Sequence, residues 1–582
     1  MISQSRLQTA TYLLAVCPFS IAFLVFMNSA VSFVVTDLIK LEHGHGNAVG
    51  TLGFADELLA LVACPLWGLI SDRIGARYVS TIGYFIVAIS LVLFVQARNV
   101  YPQLLLGRLL FCLGGSAVAT MVTALLPAIT ANHDISKCPA PGVAVTPLVS
   151  SPNSTNVSCG SPGTGEASRV RSGSSAPRLA GYVGMFTGCG ALVALLLFLP
   201  LPVRFQKAGY SPAQAIKFSF YIVGIVALVI SVVCFFGLRG LQGDEGKSLK
   251  SLLGFIERGK TSEADERLHA SSGKSANTSP RSYLAQLVVA LKAGLTNYNI
   301  GLAYVGGFVA RSSSVGISLF IPLYVNEYYR RSGLCHETGT SSRVHLLSSS
   351  PGDIKKSCPR AYVIASILTG VSQLVALLCA PLFGYLSDKS RRYNFPLLVG
   401  ALLGFLAYVI LGLLPGPRIT SAAIFVDMAF IGISQISAIV CSLAILSSGI
   451  NGILPGADNI QHETPAEIPA DMPRDRATAD NGNRSLETIN ESTPLVSRNM
   501  HTTSLPQSFI HVKGSIAGMY SLWGGAGILI LTKVGGILFD RLSPHSPFYI
   551  LAGFNGLLLI IGLILGVKQH WSSRRGSDVV IK

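Results

Sequence analysis

Apolar stretches long enough to cross a bilayer recur along the whole chain, each closed by a polar or charged segment. At 1.5 Å of rise per residue, a helix of about 20 residues spans a hydrocarbon core of roughly 30 Å. The pattern predicts twelve such helices. Six lie near Leu13 to Val35, Ala48 to Ile70, Tyr78 to Val95, Pro102 to Ile129, Leu179 to Leu201 and Ala213 to Leu238. Six more lie near Ile300 to Tyr324, Tyr362 to Leu386, Phe395 to Leu414, Ala422 to Leu446, Ser515 to Phe539 and Phe548 to Val567. The fold class implied is an all-α membrane protein. Three long segments interrupt the pattern: 133–177, rich in Ser, Pro and Gly, then Gly240 to Ser282, and Asn451 to Ser508. Segments of this composition cannot bury a core, so the first and third are predicted to be disordered inserts, and the second a polar linker between the halves.

One turn is written twice. Cys64 to Arg77 read C-P-L-W-G-L-I-S-D-R-I-G-A-R, and Ala380 to Lys389 read A-P-L-F-G-Y-L-S-D-K. Pro65, Leu66, Gly68, Ser71 and Asp72 fall without a gap on Pro381, Leu382, Gly384, Ser387 and Asp388, an offset of 384 − 68 = 316; Lys389 stands for Arg73. Upstream, Leu58, Ala60 and Leu61 fall on Leu374, Ala376 and Leu377. A match this long, half a chain apart, predicts two homologous halves. They are a bundle of six helices over 1–238, a linker over 239–298 and a second bundle of six over 299–582. Gly68 and Gly384 let a helix end approach its neighbour, and Asp72 can cap a helix amino end or pair with a cation. Arg73 and Arg77 are expected to stay with water and anionic headgroups. Arg391 takes the place of Gly75, so the second copy departs from the first at the residue that makes its tight turn.

The pattern G-x-x-x-D-R-x-G-x-R between the second and third spans resembles the signature of the major facilitator superfamily. The resemblance implies a fold of two six-helix bundles related by a pseudo-two-fold axis. It gives Gly68, Asp72, Arg73, Gly75, Arg77, Gly384, Asp388 and Lys389 the role of a cytoplasmic latch. With both copies of the turn in the cytosol, an even number of spans puts both termini there, and all three inserts too. The N-x-S/T matches at Asn153, Asn156, Asn277, Asn483 and Asn490 are then cytosolic and unmodified. The loop from Asn326 to Arg360 faces outward, and a disulfide between Cys335 and Cys358 is reasonable in an oxidising compartment. A degraded acidic dileucine-like run at Glu491 to Val496 leaves the plasma membrane and a vacuolar or endosomal membrane both open.

Composition narrows the function. Only 12% of residues are charged, against about 25% in soluble domains, and the mean hydropathy is +0.53. The net charge of +16 is spread over loops between spans, which fits the positive-inside rule and not a nucleic-acid partner. The eleven Cys show no metal-type pairing, and no phosphate-binding loop, nucleophile elbow or H-E-x-x-H occurs. The chain is therefore expected to be neither an enzyme nor an ATP-driven pump, and to need no cofactor or metal.

Ionised side chains at bilayer depth are costly, so they mark function. Asp56 and Glu57 lie about eight residues into the second span and Arg108 about six into the fourth, within reach of one another. Successive helical residues point about 100° apart, so Asp56 and Glu57 cannot both face one partner; Gln373, which mirrors Glu57 in the second half, favours Glu57 for the cavity. Arg108 belongs to G-R-L-L-F-C-L-G-G-S, which resembles the family's R-x-x-x-G-x-G helix, in which the Arg is linked to proton transfer. Arg311 aligns with Asn28 at corresponding depth. It forms either a charge pair with Asp427 across the cavity or a binding point for an anionic group. The resulting expectation is a secondary transporter that moves a small solute by alternating access, coupled to protons and working as a monomer in the lipid bilayer. A non-transporting sensor or scaffold acting through the cytosolic inserts is the alternative.

Overall fold

The computed structural model describes residues 4–39, 45–135, 176–241, 244, 280–332, 359–390, 394–414, 422–451, 509 and 512–580. Within them all regular structure is helical, and twelve helices are long and apolar enough to cross a membrane. In chain order the first six are α1 (Ser5–Val31), α2 (Thr51–Ile74), α3 (Ala76–Phe94), α4 (Val100–Thr130), α5 (Ala176–Lys207) and α6 (Pro212–Gly237). The second six are α7 (Tyr298–Tyr329), α8 (Val363–Lys389), α9 (Phe395–Leu413), α10 (Ala422–Ile450), α11 (Lys513–Arg541) and α12 (Ser546–Lys568). Cys335, Cys358, Arg391, the N-x-S/T matches and most of the three inserts lie outside the described residues.

Local chemistry starts several helices. Ser211 and Gln214 form a reciprocal capping box ahead of α6, with Pro212 in the first turn. Gly75 turns the chain at φ 97° between α2 and α3. The spans run longer than the apolar runs that predict them. Helix α1 begins near Ser5 because Gln8, polar in sequence, is buried and donates to the carbonyls of Arg239 and Gly240 at 2.7 and 3.0 Å, beyond the end of α6. A helix that must keep its backbone groups bonded until it clears the bilayer has no reason to stop at its last apolar residue. Large apolar side chains stay exposed on the outer faces, among them Leu196, Phe236, Leu378 and Leu413, as a lipid-facing surface requires.

The two halves repeat each other in space. Helix α3 packs on α4 and α6, α2 on α4, and α1 on α5; in the second half α9 packs on α10 and α12, α8 on α10, and α7 on α11. Between the halves, α2 crosses α11 and α5 crosses α8. A Cβ added at Gly518 would meet the Cys64 carbonyl oxygen at 2.8 Å, and one at Gly181 would meet the Ala380 carbonyl oxygen at 3.0 Å. Cys64 and Ala380 are partners in the 316-residue register, so the two crossings are copies of one contact. Both α5 and α11 also carry a wide π-helical turn at matching places, Ala194–Phe198 and Leu531–Gly535.

Candidate functional site

At the end of the molecule where α2 hands over to α3, the doubled turn binds the bundles together. Asp72 accepts from the backbone N–H groups of Gly514 and Ser515, both at 2.7 Å, and from the Ser515 hydroxyl. It thus caps α11 of the opposite bundle, satisfying amide groups that the first turn of a helix leaves open and matching the positive end of its dipole. At the mirrored crossing Asp388 pairs with Arg178, at the start of α5, at 2.7 Å. Arg178 is largely exposed, which makes this pair the weaker of the two. Asp244, just past α6, accepts from the Ala76 N–H at 2.9 Å and pairs with the buried Lys513 at 3.2 Å. A Cβ at Gly75 would lie 3.0 Å from the Asp244 carboxylate, so the glycine serves both the positive φ and this close approach. Thr130 of α4 meets Ser447 of α10 at 3.5 Å, and Asn451 donates to Thr130 at 3.2 Å. This end of the molecule is closed.

The latch residues differ in what they do. Gly68 and Gly384 are buried at the crossings, where added methyl groups would meet the Gly518 Cα at 3.1 Å and the Gly181 Cα at 2.7 Å. Arg77, half-exposed, also binds within its own bundle: it donates to the Phe235 carbonyl at 2.7 Å and stacks 4.3 Å over the Phe235 ring. Its planar cation fits an aromatic face, so it fastens α3 to α6 within one bundle. Arg73 is half-exposed and Lys389 exposed.

Toward the middle of the bundles the charges divide into two sets. Asp56 turns into the first bundle and pairs with Arg108 at 2.6 Å. The same Arg108 nitrogen donates to Asn28, and the Cys112 thiol donates to the Asp56 backbone carbonyl at 3.1 Å. Arg108 Nε and Nη1 and Asp56 Oδ1 remain buried without a hydrogen-bond partner among the described residues. Glu57 points elsewhere. It is half-buried and lies within Coulombic range of Arg311 on α7, across the bundle interface, as well as of Arg108. Among the described residues neither Glu57 nor Arg311 has a hydrogen-bond or ion-pair partner. Gly524 makes room for Arg311, since a Cβ there would fall 2.6 Å from its Cγ. Tyr520, bonded to Ser442 at 2.9 Å, sits within the field of the same arginine.

Asp427 is not part of this group. It is buried in α10, and among the described residues it forms no ion pair with Arg311 or any other cation. The second bundle holds a neutral counterpart of the Asp56 cluster on the equivalent helices: Gln373 of α8 donates to Gln435 of α10 at 3.3 Å, and Gln435 donates to Ser314 of α7 at 2.9 Å. Lys533 lies 3.8 Å from the Phe54 ring centroid, a cation–π contact between the bundles.

Sequence reasoning missed Asp244, Lys513, Ser515, Tyr520 and Gly524. One signal for the α11 partners was present. Gly181, Gly188 and Gly190 of α5 match Gly518, Gly525 and Gly527 of α11 at 518 − 181 = 337, a second internal register that pairs the two crossing helices.

Two pseudo-symmetric bundles of six helices, each long and apolar enough to cross a membrane, define a multi-pass membrane protein. The family model for the Major Facilitator Superfamily matches residues 19–137 and 167–454, and the chain belongs to that family. The fold is similar to that of the superfamily transporter FucP in its outward conformation, with a TM-score of 0.52 and 12% identity over 97% of this chain and 98% of that one. It is also similar to the proton:xylose symporter XylE, with a TM-score of 0.50 and 12% identity over 96% of this chain and 95% of that one. No curated protein matches the chain in sequence. A transporter, not an enzyme, is what the family defines, and a non-transporting sensor is not favoured.

Proposed function

We propose that this transporter moves a small anionic or zwitterionic solute by alternating access, coupled to protons through Glu57. The observation that carries the reading is the pair Glu57 and Arg311: opposite charges on opposite bundles, half-buried, within Coulombic range, and without a hydrogen-bond or ion-pair partner among the described residues. Arg311 offers an anionic group a planar set of donors. A solute that occupies Arg311 removes the cation that favours ionised Glu57, and a desolvated carboxylate without its cation takes up a proton. Solute and proton then neutralise the site together, so the loaded carrier rocks without moving bare charges through a low-dielectric region. Asp56 and Arg108 serve as the fixed pair that orients α2.

In this reading the closed end is cytosolic, with Gly68, Asp72, Arg73, Gly75, Arg77, Gly384, Asp388 and Lys389 as its latch, and both chain termini lie on that side. The test is a solute-accumulation screen in proteoliposomes with and without a pH gradient, repeated for Glu57→Gln. The variant is expected to lose dependence on the gradient while keeping solute exchange. Unchanged gradient dependence refutes the role of Glu57, and absence of any gradient effect in the wild type refutes proton coupling altogether.

A further inference from the structure

At the end opposite the closed one, the first bundle presents cations that the transport site does not use. Helix α5 rises about 39 Å from Arg178 at the closed end to Arg204, more than the roughly 30 Å of a hydrocarbon core. Arg204 and Lys207 therefore stand at headgroup level, and at three residues apart they share one face of the helix. Both are exposed, as is Arg98 in the turn between α3 and α4. Lys217, half-exposed on α6, lies one turn before Tyr221. The Tyr221 hydroxyl accepts from Gln96 at 2.7 Å, which ties α6 to the turn that carries Arg98. No Asp or Glu occurs in 95–105 or 199–223, and among the described residues none of the four cations forms an ion pair. The second bundle differs, since Arg331, just past α7, is met by Glu327 at 2.7 Å.

The backbone that carries this rim is held in place. Gly209 reverses the chain at φ 94°, and the N–H groups of Gly209 and Tyr210 bond back to the Gln206 and Phe205 carbonyls at 3.0 and 3.2 Å. The capping box of Ser211 and Gln214 then starts α6. Across the turn three rings pack together: Tyr210 and Phe218 lie 5.3 Å apart, and Phe205 lies 6.0 Å from each. Tyr210, Phe218 and Val203 stay exposed beside the cations. Water would solvate the charges but not the rings, and hydrocarbon would suit the rings but not the charges. The glycerol and phosphate layer of a bilayer answers both. A zwitterionic headgroup brings its own cation to its phosphate, whereas a rim of cations with no acid among them matches a phosphate that has none. The planar donors of Arg98 and Arg204 fit phosphate oxygens in pairs.

We propose that Arg98, Arg204, Lys207 and Lys217 form a binding surface for an anionic phospholipid, with the exposed rings of Tyr210 and Phe218 against its glycerol and upper chains. The surface involves neither Glu57 nor Arg311, so it stands or falls without the proton-coupled reading. The test places the full-length protein in phosphatidylcholine nanodiscs that hold a small fraction of either photoreactive phosphatidylglycerol or photoreactive phosphatidylcholine, and maps the cross-links by peptide mass spectrometry. Peptides covering 199–223 are expected to take up more phosphatidylglycerol than phosphatidylcholine, and to lose the excess as salt is raised, because exposed charges are screened. Arg204→Gln and Lys207→Gln are each expected to lower phosphatidylglycerol labelling there roughly fivefold, the scale of one basic side chain at an anionic bilayer surface. Lys568→Gln, exposed at the far end of α12, is expected to leave it unchanged. Equal labelling by the two lipids, an excess that survives the loss of both Arg204 and Lys207, or an equal loss in Lys568→Gln overturns the proposal. Displacement of the lipid by inorganic phosphate also overturns it, since the ligand would then be a soluble anion. If the double variant fails to fold, the wild-type excess and Lys217→Gln decide it.

Discussion

At the scale of single residues, Asp56 and Glu57 show how one helical step separates two tasks. Adjacent positions on a helix point about 100° apart, and here one carboxylate enters the bundle to meet Arg108 while its neighbour lies within Coulombic range of Arg311 on the other half. The buried pair is a fixed structural element, so breaking one side strands the other charge. Asp56→Asn is expected to destabilise the protein by about 3–5 kcal/mol, and the double variant Asp56→Asn/Arg108→Gln to recover much of that loss. Thermal unfolding of the two single variants and the double variant checks this; additive losses would mean that the pair is not coupled. Glu57→Gln, by contrast, removes a charge with no bonded partner and should leave stability nearly unchanged.

At the scale of elements, the helix crossings between the bundles depend on glycines. Gly384 and Gly181 meet backbone to backbone, as do Gly68 and Gly518 on the other side of the pseudo-two-fold axis. A large side chain at either crossing must push two helices apart at the closed end. Gly384→Leu is expected to yield a folded protein that binds solute but fails to complete the transport cycle, and a solute-binding assay beside a transport assay separates the two effects. The α2–α11 crossing adds a cap, since Asp72 holds the first turn of α11. Losing such a cap costs about 0.5–2 kcal/mol, so Asp72→Ala should open the closed end roughly 2- to 30-fold more often. The rate at which a thiol reagent labels a cysteine placed at Ser447, a buried position at that end, reads this out; an unchanged rate would show that the cap does not hold the end shut. Much of this was visible in the sequence. The repeat at 316 residues marks Gly68, Asp72, Gly384 and Asp388, because a turn used twice leaves two copies of its residues. Their partners were not visible: Asp72 and Ser515 are 443 positions apart, and hydropathy does not encode which helix end lies beside which.

At the scale of the whole molecule, the closed end should separate if the protein works by rocking its bundles. Thr130 and Ser447 stand 3.5 Å apart across α4 and α10. A Thr130→Cys/Ser447→Cys variant is expected to form a disulfide that stops transport, with reductant restoring it. Continued transport by the cross-linked protein would rule out opening at this end. Hydropathy alone determined that the chain crosses a membrane twelve times as helices, because a backbone in hydrocarbon must satisfy its own hydrogen bonds and leaves no other element to choose. The doubled turn likewise determined that it is built in two halves. Only the tertiary structure decided that Asp56 and not Glu57 meets Arg108, that Arg77 stacks within one bundle, and that Asp427 stands apart from Arg311. Those outcomes depend on how each helix is rotated and tilted against its neighbours. That is set by close packing of side chains far apart in the chain, which an apolar run of the right length leaves open.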